Sequence, residues 1–226
     1  MTTVRIWDLP TRLFHWALAA CIVGLVVTAK VGGEAMNWHF RLAYAVFTLL
    51  VFRLLWGLVG GHWSRFASFF PTPGRLARHF GGRSTAADSA GHTPLGALSV
   101  FAMLGVLALQ VLTGLFADDE IAFSGPLTAL VSGEWVSRAT TWHKGWGQNL
   151  VIALVLLHVV TVFVYLARRR NLITPMLTGD KRLAEGAALP AAADSAGRRL
   201  LALMLLALSA GVVYAVVQMG AVPTLG

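Results

Sequence analysis

One stretch limits what this chain can become more than any other: Trp142 to Arg170, WHKGWGQNLVIALVLLHVVTVFVYLARRR. Its apolar run is long enough to cross a hydrocarbon core about 30 Å thick, and it carries two histidines, His143 and His158. An ionisable side chain inside a membrane helix is costly and marks a functional position. The two lie 15 residues apart, which is about 22 Å along a helix rising roughly 1.5 Å per residue. Fifteen steps of about 100° return to within about 60° of the start, so both rings face broadly one way. Such a helix offers one imidazole near each leaflet to whatever packs beside it.

The remainder of the chain fits a membrane setting. It is 57% hydrophobic and 12% charged over 226 residues, too apolar for a soluble domain of this length to hide. The expected class is an all-α integral membrane protein: a four-helix bundle plus one additional C-terminal transmembrane helix. The formal net charge of +8 would suggest nucleic acid in a soluble chain. Here the basic residues flank apolar spans, so they speak for topology and no nucleic-acid partner is expected. The one cysteine, Cys21, allows no internal disulfide. No Cys-x-x-Cys-His run occurs to attach a c-type haem. Leu18-Ala19-Ala20-Cys21 resembles a lipoprotein cleavage box, but the apolar run continues to Thr28, so a cleaved signal peptide is not expected.

Five spans are expected, at about 11–29, 38–59, 94–116, 142–167 and 200–219. Asp8, Pro10 and Thr11 mark the start of the first, and Gly32-Gly33 its end. Thr93 and Pro94 open the third as N-cap and first-turn residues. Pro126 to Ser132 reads as a short interfacial helix in an acidic loop that carries Asp118, Asp119, Glu120 and Glu134. Arg168 to Arg199 reads as a linker. Fourteen of the 18 Lys and Arg residues fall at the N-terminus, around the segment between spans two and three, and in that linker. That side is therefore expected to be cytoplasmic, with the acidic loop and the C-terminus outside, in a multi-pass protein of a bacterial inner membrane.

With directions assigned, depths can be compared. His15 lies near the inner end of span one and His39 near the outer end of span two, while His143 is outer and His158 inner. The depths pair as His39 with His143 and His15 with His158. Each pair has the composition of a bis-imidazole haem site joining two helices. Two imidazoles fill both axial positions of iron, which predicts electron transfer instead of chemistry at an open metal site. A single zinc ion does not suit ligands paired at two depths.

Residues 1–182 are thus expected to form a di-haem domain, and 183–226 a linker and fifth helix. Arg12 and Arg53 are candidates for inner-haem propionates, since guanidinium binds carboxylate in bidentate fashion, and Lys144 for the outer haem. For Arg53, snorkelling to the surface is the open alternative. His62 and His79 read as solvated residues. His92 in GHTPLG reads as a helix-start residue or as a group beside the inner haem or a quinone. Trp16, Trp38, Trp142 and Trp146 adjoin the proposed ligands, where interfacial aromatic belts are expected anyway.

VRIWDLPTRLFHW, WHFRLAYAVFTLLVFRLLWGLVGG, GHTPLGAL, and HKGWGQNLVIALVLLH followed by NLITPMLTGDK together resemble the bacterial cytochrome b561 and nickel–iron hydrogenase cytochrome b family. The resemblance covers about residues 3 to 182 and leaves the fifth span outside. It implies a four-helix bundle with two non-covalent b-type haems, held at positions corresponding to His15, His39, His143 and His158. It also implies electron exchange between a membrane quinone and an outer-face partner such as a hydrogenase, a dehydrogenase or a cytochrome c. One branch of the family suggests a stand-alone superoxide:quinone oxidoreductase as the alternative. The acidic outer loop should repel an anion and suit a basic protein. A haem-free membrane anchor is the third reading.

Overall fold

The computed structural model describes residues 2–183 and 189–220. Its elements run β1 (Thr2–Arg5), α1 (Leu9–Val31), α2 (Ala35–Val59), α3 (Phe66–Phe69), α4 (Pro73–Phe80), α5 (Ala86–Ala90) and α6 (Pro94–Leu115). A 3₁₀ turn at Thr128–Leu130, α7 (Gly133–Thr141), a π-helical turn at Trp142–Gly147, α8 (Gln148–Ala167), α9 (Ile173–Thr178), β2 (Asp180–Leu183) and α10 (Ala196–Met219) follow. Among the described residues, five helical stretches are long and apolar enough to cross a membrane: Leu9–Val31, Ala35–Val59, Pro94–Leu115, Gly133–Ala167 and Ala196–Met219. The protein is an all-α membrane protein in class. The chain divides into two compact units, and each long helix contributes one stretch to each of them.

The first unit comprises Met1–Trp16, Phe52–Ala102 and Leu156–Leu205. Its centre is Asp8, which is fully buried. One carboxylate oxygen caps α1 by accepting from the Thr11 N–H at 2.9 Å. The other accepts from the Ser64 hydroxyl at 2.6 Å and from the Trp56 indole N–H at 3.3 Å. A buried carboxylate is tolerable only when its oxygens are satisfied in this way. Around this network pack Ile6, Trp7, Trp63, Ala90 and Ala192.

Of the short helices in residues 61–91, α4 and α5 are set by their caps, whereas α3 has no side-chain cap. Thr72 accepts from the Arg75 N–H with Pro73 following it, and Thr85 and Asp88 form a capping box at the start of α5.

The described parts of the expected linker make defined contacts with the first unit. After α9, Gly179 adopts φ +92°, and its carbonyl accepts from the N–H groups of Ile6 and Trp7. A Cβ there would sit 2.6 Å from the Trp7 carbonyl oxygen, so both the conformation and the space call for glycine. β2 then pairs antiparallel with β1, Thr2 opposite Leu183 and Arg5 opposite Asp180. Further on, Ala192 donates to the Arg5 carbonyl and Trp63 to the Pro190 carbonyl. This small sheet is a departure from a purely helical reading. TTVR and DKRL carry no periodic apolar pattern, and each strand exists only because its partner is brought to it.

The second unit comprises Ala17–Val51, Met103–Val155 and Leu206–Gly226. Val46, Leu50 and Leu107 form its core, with Leu18, Ile22, Leu25, Leu104, Val111 and Val151 packed against them. Stretches of α1, α2, α6 and α8 are thereby joined. Gly24 lets α1 lie against Leu42 of α2, where a Cβ would meet the leucine methyl at 2.7 Å. From α10, Ser209 and Val213 are buried. Tyr44, Ala45 and Thr48 of α2 share a small cleft with Val213, Tyr214 and Val217 of α10.

The expected interfacial helix at 126–132 is reduced to the 3₁₀ turn. The helix of span four begins at Gly133, well before Trp142, and Glu134 and Arg138 pair one turn apart on its exposed face.

Candidate functional site

The first unit brings His15 of α1 and His158 of α8 together, with ring centroids 6.3 Å apart. Both rings are half-buried. Trp16 lies edge-on to His15 at 5.1 Å. The Nδ1 atom of His15 is buried with no hydrogen-bond partner.

Arg12, one turn earlier, donates to the Leu177 carbonyl, while its Nε is buried and without a partner. Arg53 is only 3% exposed, so it does not snorkel. Its guanidinium donates to the Ser64 carbonyl at 3.0 Å and stacks over Phe66 at 4.5 Å. Gly57 makes room for that ring, since a Cβ there would overlap Phe66.

His92 packs between Trp7 and Phe69, at 4.7 and 4.3 Å between ring centroids. Its Nδ1 is also buried without a partner. Burial first, and then the positive charges of Arg53 and Arg75, push its pKa down to about 3, so it is neutral. His62 is exposed against Trp63, and His79 bonds to Ser84.

The second unit brings His39 of α2 and His143 of the π-helical turn together, again 6.3 Å between centroids. Here both Nδ1 atoms are tied. That of His39 donates to the Leu25 carbonyl at 3.1 Å with the Thr28 hydroxyl 3.3 Å away. That of His143 donates to the Gln110 carbonyl at 2.9 Å. The amide of Gln110 returns the contact, donating to the His143 carbonyl at 2.9 Å.

Gly114, one turn on from Gln110, gives the ring its space, since a Cβ there would lie 2.7 Å from His143 Cε1. Beside this pair is a cavity of about 340 Å³, lined by His39, His143, Gly114 and apolar groups including Phe40, Phe47 and Val111. Lys144, Asp118 and Asp119 also line it. Lys144 donates to the Asp118 carbonyl.

Gln110, Gly114 and Thr28 escaped the sequence reading. Gln110 alone left a signal, as the one side-chain amide in the apolar run of α6. π-Helical turns are uncommon and gather at functional sites, and this one, at Trp142–Gly147, carries His143.

Comparison with known proteins bears on the geometry. The family model described as prokaryotic cytochrome b561 matches residues 6–179. The chain belongs to the prokaryotic cytochrome b561 family.

Relatives named as probable Ni/Fe-hydrogenase B-type cytochrome subunits are similar over most of their length. That of Azotobacter chroococcum mcd 1 is 25% identical over 215 residues, covering 76% of this chain and 83% of its own. That of Bradyrhizobium diazoefficiens is 23% identical, with 80% and 86% covered. That of Azotobacter vinelandii is 26% identical, with 79% and 88% covered. No solved structure matches significantly.

A cytochrome b561 is a membrane b-type cytochrome of electron transfer, and the residues present suit its haem. An imidazole nitrogen binds a first-row metal at about 2.0–2.1 Å, so two rings sharing one ion stand with centroids roughly 6 Å apart. Both pairs meet that separation. Histidine is also a donor suited to b-type haem iron. Among the described residues, no group of three or more His, Cys, Asp or Glu side chains gathers as a separate metal site.

Proposed function

We propose that this cytochrome b561 holds two haems, one between His15 and His158 and one between His39 and His143, and carries electrons between a membrane quinone and a redox protein on the outer face. The observation that carries the reading is the repeated 6.3 Å separation of two histidine pairs, each drawn from two helices. Haem held by two imidazoles supplies one-electron oxidation and reduction with no open coordination site.

The chain's own groups do the rest. Arg12, through its unpartnered Nε, and the buried Arg53 neutralise propionates at the His15–His158 haem, and Lys144 does so at the other. Asp118, Asp119 and Glu134 give the outer loop the charge to receive a basic partner. The names of the relatives support a nickel–iron hydrogenase as that partner. The Lys and Arg distribution supports a cytoplasmic N-terminus in a bacterial inner membrane. Neutral His92, with its free buried Nδ1, offers a hydrogen bond to a quinone oxygen.

The test is anaerobic mixing of the purified, oxidised protein with a soluble quinol. Reduction of the haem bands, slowed at least tenfold in His92→Leu, is the expected result. A haem-loaded protein whose bands do not respond to any quinol or quinone would remove the quinone from the function.

A further inference from the structure

The two histidine pairs match in separation and differ in what holds them. Nδ1 of His39 and Nδ1 of His143 each donate to a backbone carbonyl, of Leu25 and of Gln110. Nδ1 of His15 is buried and donates to nothing.

The difference has a direct electronic consequence. An imidazole whose N–H donates to a carbonyl gains imidazolate character and becomes a more basic ligand. A more basic ligand favours the ferric over the ferrous state, which lowers the reduction potential. At His143 the effect is locked in place. The main-chain carbonyl of Gln110 accepts from the ring, while its side chain donates to the His143 carbonyl, so two hydrogen bonds close one loop between α6 and the π-helical turn. At His39 the Thr28 hydroxyl oxygen lies 3.3 Å from the same Nδ1 that donates to Leu25.

We propose that Gln110 is a positioning residue which, with Leu25 and Thr28, makes the His39–His143 haem the lower-potential of the two, so that electrons fall from it to the His15–His158 haem. The proposal rests on the two-haem reading above. With haem held at both pairs, each transfer would move one electron from the His39–His143 site to the His15–His158 site, one iron being oxidised and the other reduced, with no bond formed or broken and no proton moved. The outer-face redox protein is the reductant that refills the first site, and the quinone is the oxidant that empties the second.

Optical redox titration of the detergent-solubilised, haem-loaded protein tests this. Wild type should show two one-electron waves. His158→Ala, which removes a ligand of the other haem, should keep only the lower wave. Gln110→Leu should move the lower wave upward and leave the upper wave in place. Should that variant fail to load haem, Thr28→Val, close in shape and lacking only the hydroxyl, should move the same wave in the same direction by a smaller amount.

A His158→Ala protein that retains the upper wave would overturn the ordering. So would a lower wave that moves in neither Gln110→Leu nor Thr28→Val. Fewer than two haems in wild type would overturn the two-haem reading itself, and this proposal with it.

Discussion

At the scale of single residues, the candidate site depends as much on what is missing as on what is present. Gly114 is the sharpest case, because any side chain there meets the His143 ring, with a first carbon 2.7 Å from Cε1. Helix backbone and a ring held by the Gln110 carbonyl cannot both yield. Gly114→Val should therefore empty the His39–His143 site alone, and haem content by pyridine haemochromogen assay should fall from about two per chain to about one. Full retention of haem would show that the ring can move aside.

The four histidines stand out in the sequence because an imidazole in an apolar span has few structural excuses, and the structure brings them together in two pairs. Gly114 was not, since a glycine that must be small looks the same as one that happens to be. The Nδ1 partners of His39 and His143 were hidden for another reason: they are main-chain carbonyls, which every residue carries.

At the scale of elements, the five long helices could be read from apolar length. The segment between α2 and α6 could not, because its helices are too short for periodicity, and α4 and α5 are held by caps. Asp88 is the main fastening. It caps α5 and pairs with Arg75 at 3.0 Å and Arg78 at 3.5 Å. Burial works against its charge, but hydrogen bonds from Thr85, Arg75 and Arg78 outweigh it and hold the carboxyl at about 2, below its ordinary 3.8.

A depressed carboxylate contributes stability that is complete above its unfolded value and is lost as pH falls through its folded value. Cleavage of residues 73–91 by an acid protease should rise as pH drops from about 4 to about 2. Asp88→Asn should be cleaved readily throughout that range. A wild type equally resistant at both ends of the range would show that the segment is held by something else. β1 and β2 belong to the same lesson, since two short polar strands far apart in sequence announce nothing until they meet.

For the whole molecule, the proposal is that one chain carries two haem positions of the same composition, one between α1 and α8 and one between α2 and the π-helical turn that precedes α8, with different hydrogen-bond surroundings. Family membership makes the chain a b-type cytochrome, and the paired histidines are the basis for proposing two haems and their places. Both come before any question of partner, quinone or potential.

The haem-to-protein ratio, taken with reduced-minus-oxidised spectra, tests that claim most directly in wild type, His158→Ala and His39→Ala. The account predicts two haems per chain with low-spin b-type bands in wild type, and one in each variant. One haem or none in wild type, or a variant that keeps both, would contradict it.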